Sequence, residues 1–220
     1  IADLNVGILY VTAIVALSAV GVLMAGWASN NKWALLGGIR SAAQLVSYEI
    51  PAGLSLLPIV LLTGTLSTQG IIQAQGWAPW DWFAFHSPFT FLAALVFYIS
   101  ALAEANRTPF DIPEAESELV AGFTTEYSGF RFSLFPMAEW GSLYVTGALM
   151  TVLFLGGWQI PTGWTNNPVL LNVAQFTVFF LKSYFWVFIA MWIRGTLPRI
   201  RVDQMMSLCW KYLVPISFVN

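Results

Sequence analysis

Phe89-Thr-Phe-Leu-Ala-Ala-Leu-Val-Phe-Tyr-Ile-Ser-Ala-Leu-Ala-Glu-Ala-Asn-Arg-Thr-Pro-Phe-Asp-Ile-Pro-Glu-Ala-Glu-Ser-Glu118 passes abruptly from hydrocarbon to a run of acids. Glu104, Asp111, Glu114, Glu116, Glu118, Glu126 and Glu139 are seven of the eleven acidic residues of the chain. Nearly everything on either side of them is apolar. Carboxylates are costly close to lipid, so a cluster flanked by apolar spans marks ionisable groups kept for a task. Three tasks fit: moving protons, holding a cation, or docking a charged partner.

The 220 residues are 58% hydrophobic and only 9% charged. Soluble domains carry about 25% charged residues, so the chain is an integral membrane protein. The lengths of its apolar runs match the thickness of a bilayer and predict an all-α protein, a polytopic transmembrane helix bundle. Five full spans are expected: Val6 to Trp27, about Ala42 to Leu66, about Phe89 to Ala105, about Phe135 to Gly157, and Val169 to Ile193. A sixth begins near Leu208 and reaches Asn220, roughly 13 residues against the ~20 that a span needs. With no starting Met and no secretory pattern, the chain reads as an interior piece of a longer protein. Residues 1–220 are expected to form one transmembrane domain, with 106–134 as an acidic cytoplasmic loop within it.

The connections alternate in charge. Lys32 and Arg40 follow the first span, Arg107 and Arg131 the third, and Arg194, Arg199, Arg201 and Lys211 the fifth. The segments near Ser67 to Pro88 and Trp158 to Pro168 hold no Lys or Arg. Eight of the nine basic residues thus obey one topology, and the positive-inside rule puts the acidic loop on the cytoplasmic side. Trp77, Trp80, Trp82, Trp158 and Trp164 fall where an outer aromatic belt would lie. In the acidic loop, Asp111 is a candidate N-cap, with Glu114 three residues later, Pro113 in the first turn and Gly122 as a stop.

Two ionisable residues lie inside spans. Glu49, in Ser-Tyr-Glu-Ile-Pro, either reaches the headgroups or faces the bundle interior as a proton carrier. Pro51 and Pro58 loosen the same helix, which is tolerated where a cavity is lined, and this favours the interior reading. Lys182 belongs either to a structural ion pair or to a proton path. Glu114, Glu116 and Glu118 are explained singly by solvation in a first helical turn. That account covers less well why Glu104, Glu126 and Glu139 recur beside the same loop, since coupled carboxylates can pass protons in steps. Arg194, Arg199 and Arg201 are most simply topogenic charges, and His86 an interfacial side chain. Cys209 is the one cysteine and His86 the one histidine, so neither an intrachain bis-histidine haem nor a Cys/His metal set can be assembled. No Gly-rich phosphate loop is present either.

Longer motifs carry a resemblance. Leu36-Gly-Gly-Ile-Arg-Ser-Ala-Ala-Gln-Leu-Val-Ser-Tyr-Glu49, Asn106-Arg-Thr-Pro-Phe-Asp-Ile-Pro-Glu-Ala-Glu-Ser-Glu118, Thr125-Glu-Tyr-Ser-Gly129, Leu155-Gly-Gly-Trp158 and Leu197-Pro-Arg-Ile-Arg-Val-Asp-Gln204 occur in order. With them the chain resembles the H-type membrane subunit (also numbered 1) of the proton-pumping NADH:quinone oxidoreductases, or respiratory complex I, over essentially its whole length. The resemblance implies a membrane-arm component that forms part of the quinone-binding chamber, with iron–sulfur clusters and FMN in partner subunits. It implies a proton path through Glu49, Glu104, Glu114, Glu118, Glu126 and Glu139, to which the mid-span Lys182 is added. Arg107, Asp111, Glu116, Arg194 and Arg199 would then line the chamber or contact the peripheral subunits. The family's first spans and the quinone access portal they build have no counterpart in this chain.

Quinone is expected as substrate, other complex I subunits as partners, and an inner membrane, bacterial by composition, as location. Energy-converting hydrogenases and ferredoxin- or deazaflavin-linked reductases share this type of membrane component and are the first alternative. A stand-alone proton channel or transporter is the second, but it would favour inverted repeats, and none is visible.

Overall fold

The computed structural model describes residues 4–111, 121–161 and 167–220, and within them every regular element is helical. Five long helices form the bundle: α1 (Gly7–Ala28), α2 (Lys32–Thr63), α5 (Pro88–Glu104), α6 (Phe130–Phe154) and α7 (Pro168–Thr196). Short helices α3 (Thr68–Ala74) and α4 (Phe83–His86) lie between α2 and α5. The chain closes with α8 (Val202–Leu208), a π-helical turn (Cys209–Leu213) and α9 (Val214–Val219).

By length and apolarity α1, α2 and α7 can each cross a membrane unaided. At 17 residues α5 sits at the short end of the ~17–25 that a span requires. Its start is set by a full capping box, Ser87 with Thr90, and by Pro88 in the first turn. The second span is longer than the sequence suggests. It begins at Lys32, capped by Asn31, whose Oδ1 accepts from the Trp33 amide at 3.0 Å, and it continues through Pro51 and Pro58. Lys32 and Arg40 therefore stand on the first turns of a helix rather than in a loop. The connection from Ser67 to Pro88 contains the short helices α3 and α4, with Ser67 capping α3.

The alternating topology is written in long-range hydrogen bonds. On one side the Ile8 amide meets Leu66 O at 3.2 Å, joining the start of α1 to the end of α2. On the other, Tyr127 donates its hydroxyl to Ala25 O at 3.0 Å, and the Ile200 amide meets Pro109 O at 3.1 Å. The ends of α1 and α5 and the segment after α7 thus share the side that carries the basic residues. On the opposite side Trp77 and Trp80 are exposed, in the position of the aromatic belt, while Trp164 lies outside the described residues.

Packing relies on small residues, as expected where lipid offers no hydrophobic drive between helices. At the α1–α2 crossing, a Cβ on Gly26 would stand 2.9 Å from Ala34 O. A Cβ on Gly37 would meet Gly122 Cα at 2.8 Å, so α2 and the turn Gly122–Thr124 touch backbone to backbone. The core runs between α2 and α5, around Tyr48, Ile59, Ala93, Phe97 and Phe154.

The C-terminal end of α6 is buried, and its carbonyls need donors because lipid supplies none. Buried Gln75 provides them: Nε2 donates to Val152 O (3.0 Å) and Leu153 O (3.2 Å), and Oε1 accepts from the Gly156 amide (2.8 Å). Replacing Gln75 by Leu should cost roughly 1–3 kcal/mol for each group left unpaired. The comparison is with Gln73→Leu at an exposed position of the preceding helix α3, followed by unfolding in mixed micelles; equal stability of the two variants would contradict the cap.

Candidate functional site

Three of the glutamates singled out from sequence come together. A cleft of about 480 Å³ lies between α1, α2, α5 and α6, and Glu49, Glu104 and Glu139 all line it. Apart from these acids its walls are chiefly apolar, including Val15, Leu56, Phe97 and Phe135. Each acid reaches the cleft by a different route. Glu104 is the last residue of α5 and half-buried; Glu139 lies on the third turn of α6; Glu49 sits midway along α2. Gln44 fixes the relative depth, because its Nε2 donates to Ala103 O at 2.8 Å. Glu49 is five residues further along α2, roughly 7 Å deeper by helical rise. Glu104 lies within electrostatic reach of Glu49.

The cleft is open rather than sealed. Glu49 lines it, facing a space between helices, and remains exposed.

At the basic side the arrangement changes from acids alone to an ion pair. Arg107 Nη2 lies 3.4 Å from Glu139 Oε2, with each side chain only 15% exposed. The Arg107 guanidinium also stands 5.9 Å from the Trp140 ring. Arg107, read from sequence as a chamber or docking residue, is thus the counterion of a proton-path candidate. A carboxylate held this way keeps its charge without a full solvation shell, and a change on either partner acts directly on the other.

Glu126 stands apart from the cleft. It is exposed and accepts from Asn31 Nδ2 at 2.7 Å, so it braces the residue that caps α2. Asp111 is half-buried and closes the first described stretch of the acidic loop. Its neighbour Phe110 is held by Gln44 Nε2, which donates to Phe110 O at 2.9 Å, and by ring contact with Tyr48 at 5.6 Å. Glu114, Glu116 and Glu118 lie outside the described residues, as does the capping pattern expected from Asp111 through Pro113 and Glu114. Arg194 and Arg199 are exposed on the same side, where the Ile200–Pro109 hydrogen bond brings the segment after α7 against the start of the acidic loop.

Lys182 points elsewhere. Its ammonium donates to Leu155 O (2.7 Å) and Gly157 O (3.3 Å), just past the end of α6, and lies 4.6 Å from the Trp82 ring. It lines a second, apolar groove with Tyr98 and Trp186, not the glutamate cleft. These bonds tie α7 to the chain just past the end of α6, with carbonyls as the partners.

Asn31, Gln44 and Gln75 were not among the residues singled out from sequence. The signal was present: Gln44 is the one amide within the largely apolar stretch leading to Glu49, and a buried amide must find partners. Among the described residues, no group of three or more His, Cys, Asp or Glu side chains could hold a metal ion.

Comparison with known proteins gives one consistent result. The family model described as NADH dehydrogenase matches residues 1–220. The H subunit of NADH-quinone oxidoreductase from Anaeromyxobacter dehalogenans (strain 2CP-C) is 56% identical, over 99% of this chain and 56% of its own length. Proteins of the same name from Chlorobaculum tepidum and Geobacillus kaustophilus are each 51% identical over 100% of this chain, and 63% and 62% of their own lengths. The chain therefore spans about three fifths of the length of the curated relatives it matches.

A sharp prediction follows from the ion pair. Arg107→Met removes an ion-pair partner of the largely buried Glu139 carboxylate and should destabilise the bundle by about 3 kcal/mol. Arg107→Met combined with Glu139→Met should recover most of that loss. Equilibrium unfolding of the two variants in bicelles checks it; a double variant no more stable than the single one would contradict the pairing.

Proposed function

The chain belongs to the NADH dehydrogenase family, and we propose that it serves as the membrane component that links quinone reduction to proton translocation. In this reading it forms part of the wall of a quinone chamber on its basic side. The electrons arrive from partner subunits that carry FMN and iron–sulfur clusters, and the host membrane is a bacterial inner membrane. The name shared by the relatives supports the assignment to a quinone oxidoreductase.

The observation that carries the proton-path part is the cleft holding Glu49, Glu104 and Glu139. Reduction of a quinone to a quinol takes up two electrons and two protons. Proton uptake beside a low-dielectric wall alters the charge of the nearest acid, and each neighbour responds in turn. Of the three cleft acids, Glu139 carries the Arg107 counterion, which couples its charge to the basic side. Glu104 at the end of α5 stands next, and Glu49 is the deepest of the three. Glu114, Glu118 and Glu126 extend the series through the acidic loop toward the chamber. Arg107, Asp111, Glu116, Arg194 and Arg199 supply the surface that meets the peripheral subunits. Lys182 is given no proton-carrying step, since its hydrogen bonds serve backbone carbonyls past the end of α6.

The test uses the assembled complex in sealed membrane vesicles. Glu49→Gln and Glu139→Gln should assemble, and each should lower the number of protons moved per quinone reduced. Normal assembly with an unchanged proton-to-quinone ratio in both variants would end this reading.

A further inference from the structure

The turn of α2 that bears Glu49 lacks one of its own hydrogen bonds. Pro51 has no amide hydrogen, so Ser47 O, four residues earlier, loses its regular donor within the helix. Glu49 lies between the two residues. A carbonyl left open in a buried, water-poor setting costs roughly 1–3 kcal/mol, and the turn around it is free to widen.

The gap is filled from outside. Cys209 Sγ donates to Ser47 O at 3.1 Å, and Cys209 is completely buried. On the next residue of the same helix, buried Tyr48 donates its hydroxyl to Met205 O at 3.0 Å. Cys209 opens the π-helical turn Cys209–Leu213, so the thiol belongs to a helix whose own pitch changes at that residue. Such turns are rare and frequently lie at functional sites.

We propose that Cys209 is a positioning residue for Glu49: its thiol replaces the hydrogen bond that Pro51 removes and so fixes the turn that aims the Glu49 carboxylate into the cleft. This rests on the reading of Glu49 as a proton carrier for its importance, but the geometry it asserts is testable separately. The thiol is a weak donor, which suits the task. It holds the turn closed without locking it as a backbone amide would, and a residue that must change charge gains from a turn that yields slightly.

The experiment compares Cys209→Ala, Cys209→Ser and Cys209→Ala with Pro51→Ala in the assembled complex. The Pro51 replacement restores an amide hydrogen and with it the donor for Ser47 O. The readout is the infrared carboxyl band of Glu49, identified as the band that Glu49→Gln removes. The band should move in Cys209→Ala and keep its native position in Cys209→Ser and in the pair with Pro51→Ala. An unmoved band in Cys209→Ala, or an equally displaced one in the pair, overturns the proposal. If Cys209→Ala does not assemble, recovery of assembly by Pro51→Ala supports the proposal, and failure to recover overturns it. Should Glu49→Gln translocate protons normally while the band still moves as stated, only the proton-path reading fails.

Discussion

Hydrocarbon offers no hydrogen bonds, and this single constraint organises the bundle. Where a helix ends inside the protein, or loses a rung, a side chain is sent to repair it. Gln75 closes the end of α6, and Lys182 serves the two carbonyls beyond it. Gln44 ties the end of α5 to Phe110, and Cys209 mends the gap made by Pro51. These residues are few, but each joins elements that are distant in sequence. Apolar packing alone would leave such helices free to slide, because their surfaces are as content against lipid as against each other.

The acids follow the same economy of polar groups. Glu139 is paired with Arg107 where both side chains are largely, though not fully, buried. Glu126 is exposed and needs only an amide. Glu49 and Glu104 line a cleft between four helices, Glu49 exposed and Glu104 half-buried. Environment, rather than residue type, separates four glutamates into an ion-pair partner, a brace and two that line the cleft.

Much of the fold was legible because span length and apolarity are direct consequences of bilayer thickness. The alternation of basic residues set the sidedness for the same kind of reason. What the sequence did not disclose was direction. Lys182 is a mid-span cation by position, but whether its long stem leads to a carboxylate or to carbonyls depends on where α6 ends, which no local pattern states. The beginning of α2 at Lys32 was hidden because a charged, glycine-containing first third does not look like a span, although Asn31 was there to cap it. For the site, the presence of Glu49, Glu104 and Glu139 was plain, whereas the openness around Glu49 depends on how four helices diverge.

Asn31 and Gln44 together have one more consequence. Asn31 caps α2 with one arm of its amide and holds Glu126 with the other; Gln44, twelve residues into α2, grips Phe110. Phe110 and Glu126 are thereby both moored to a single rod, the helix whose midpoint carries Glu49 as its passenger.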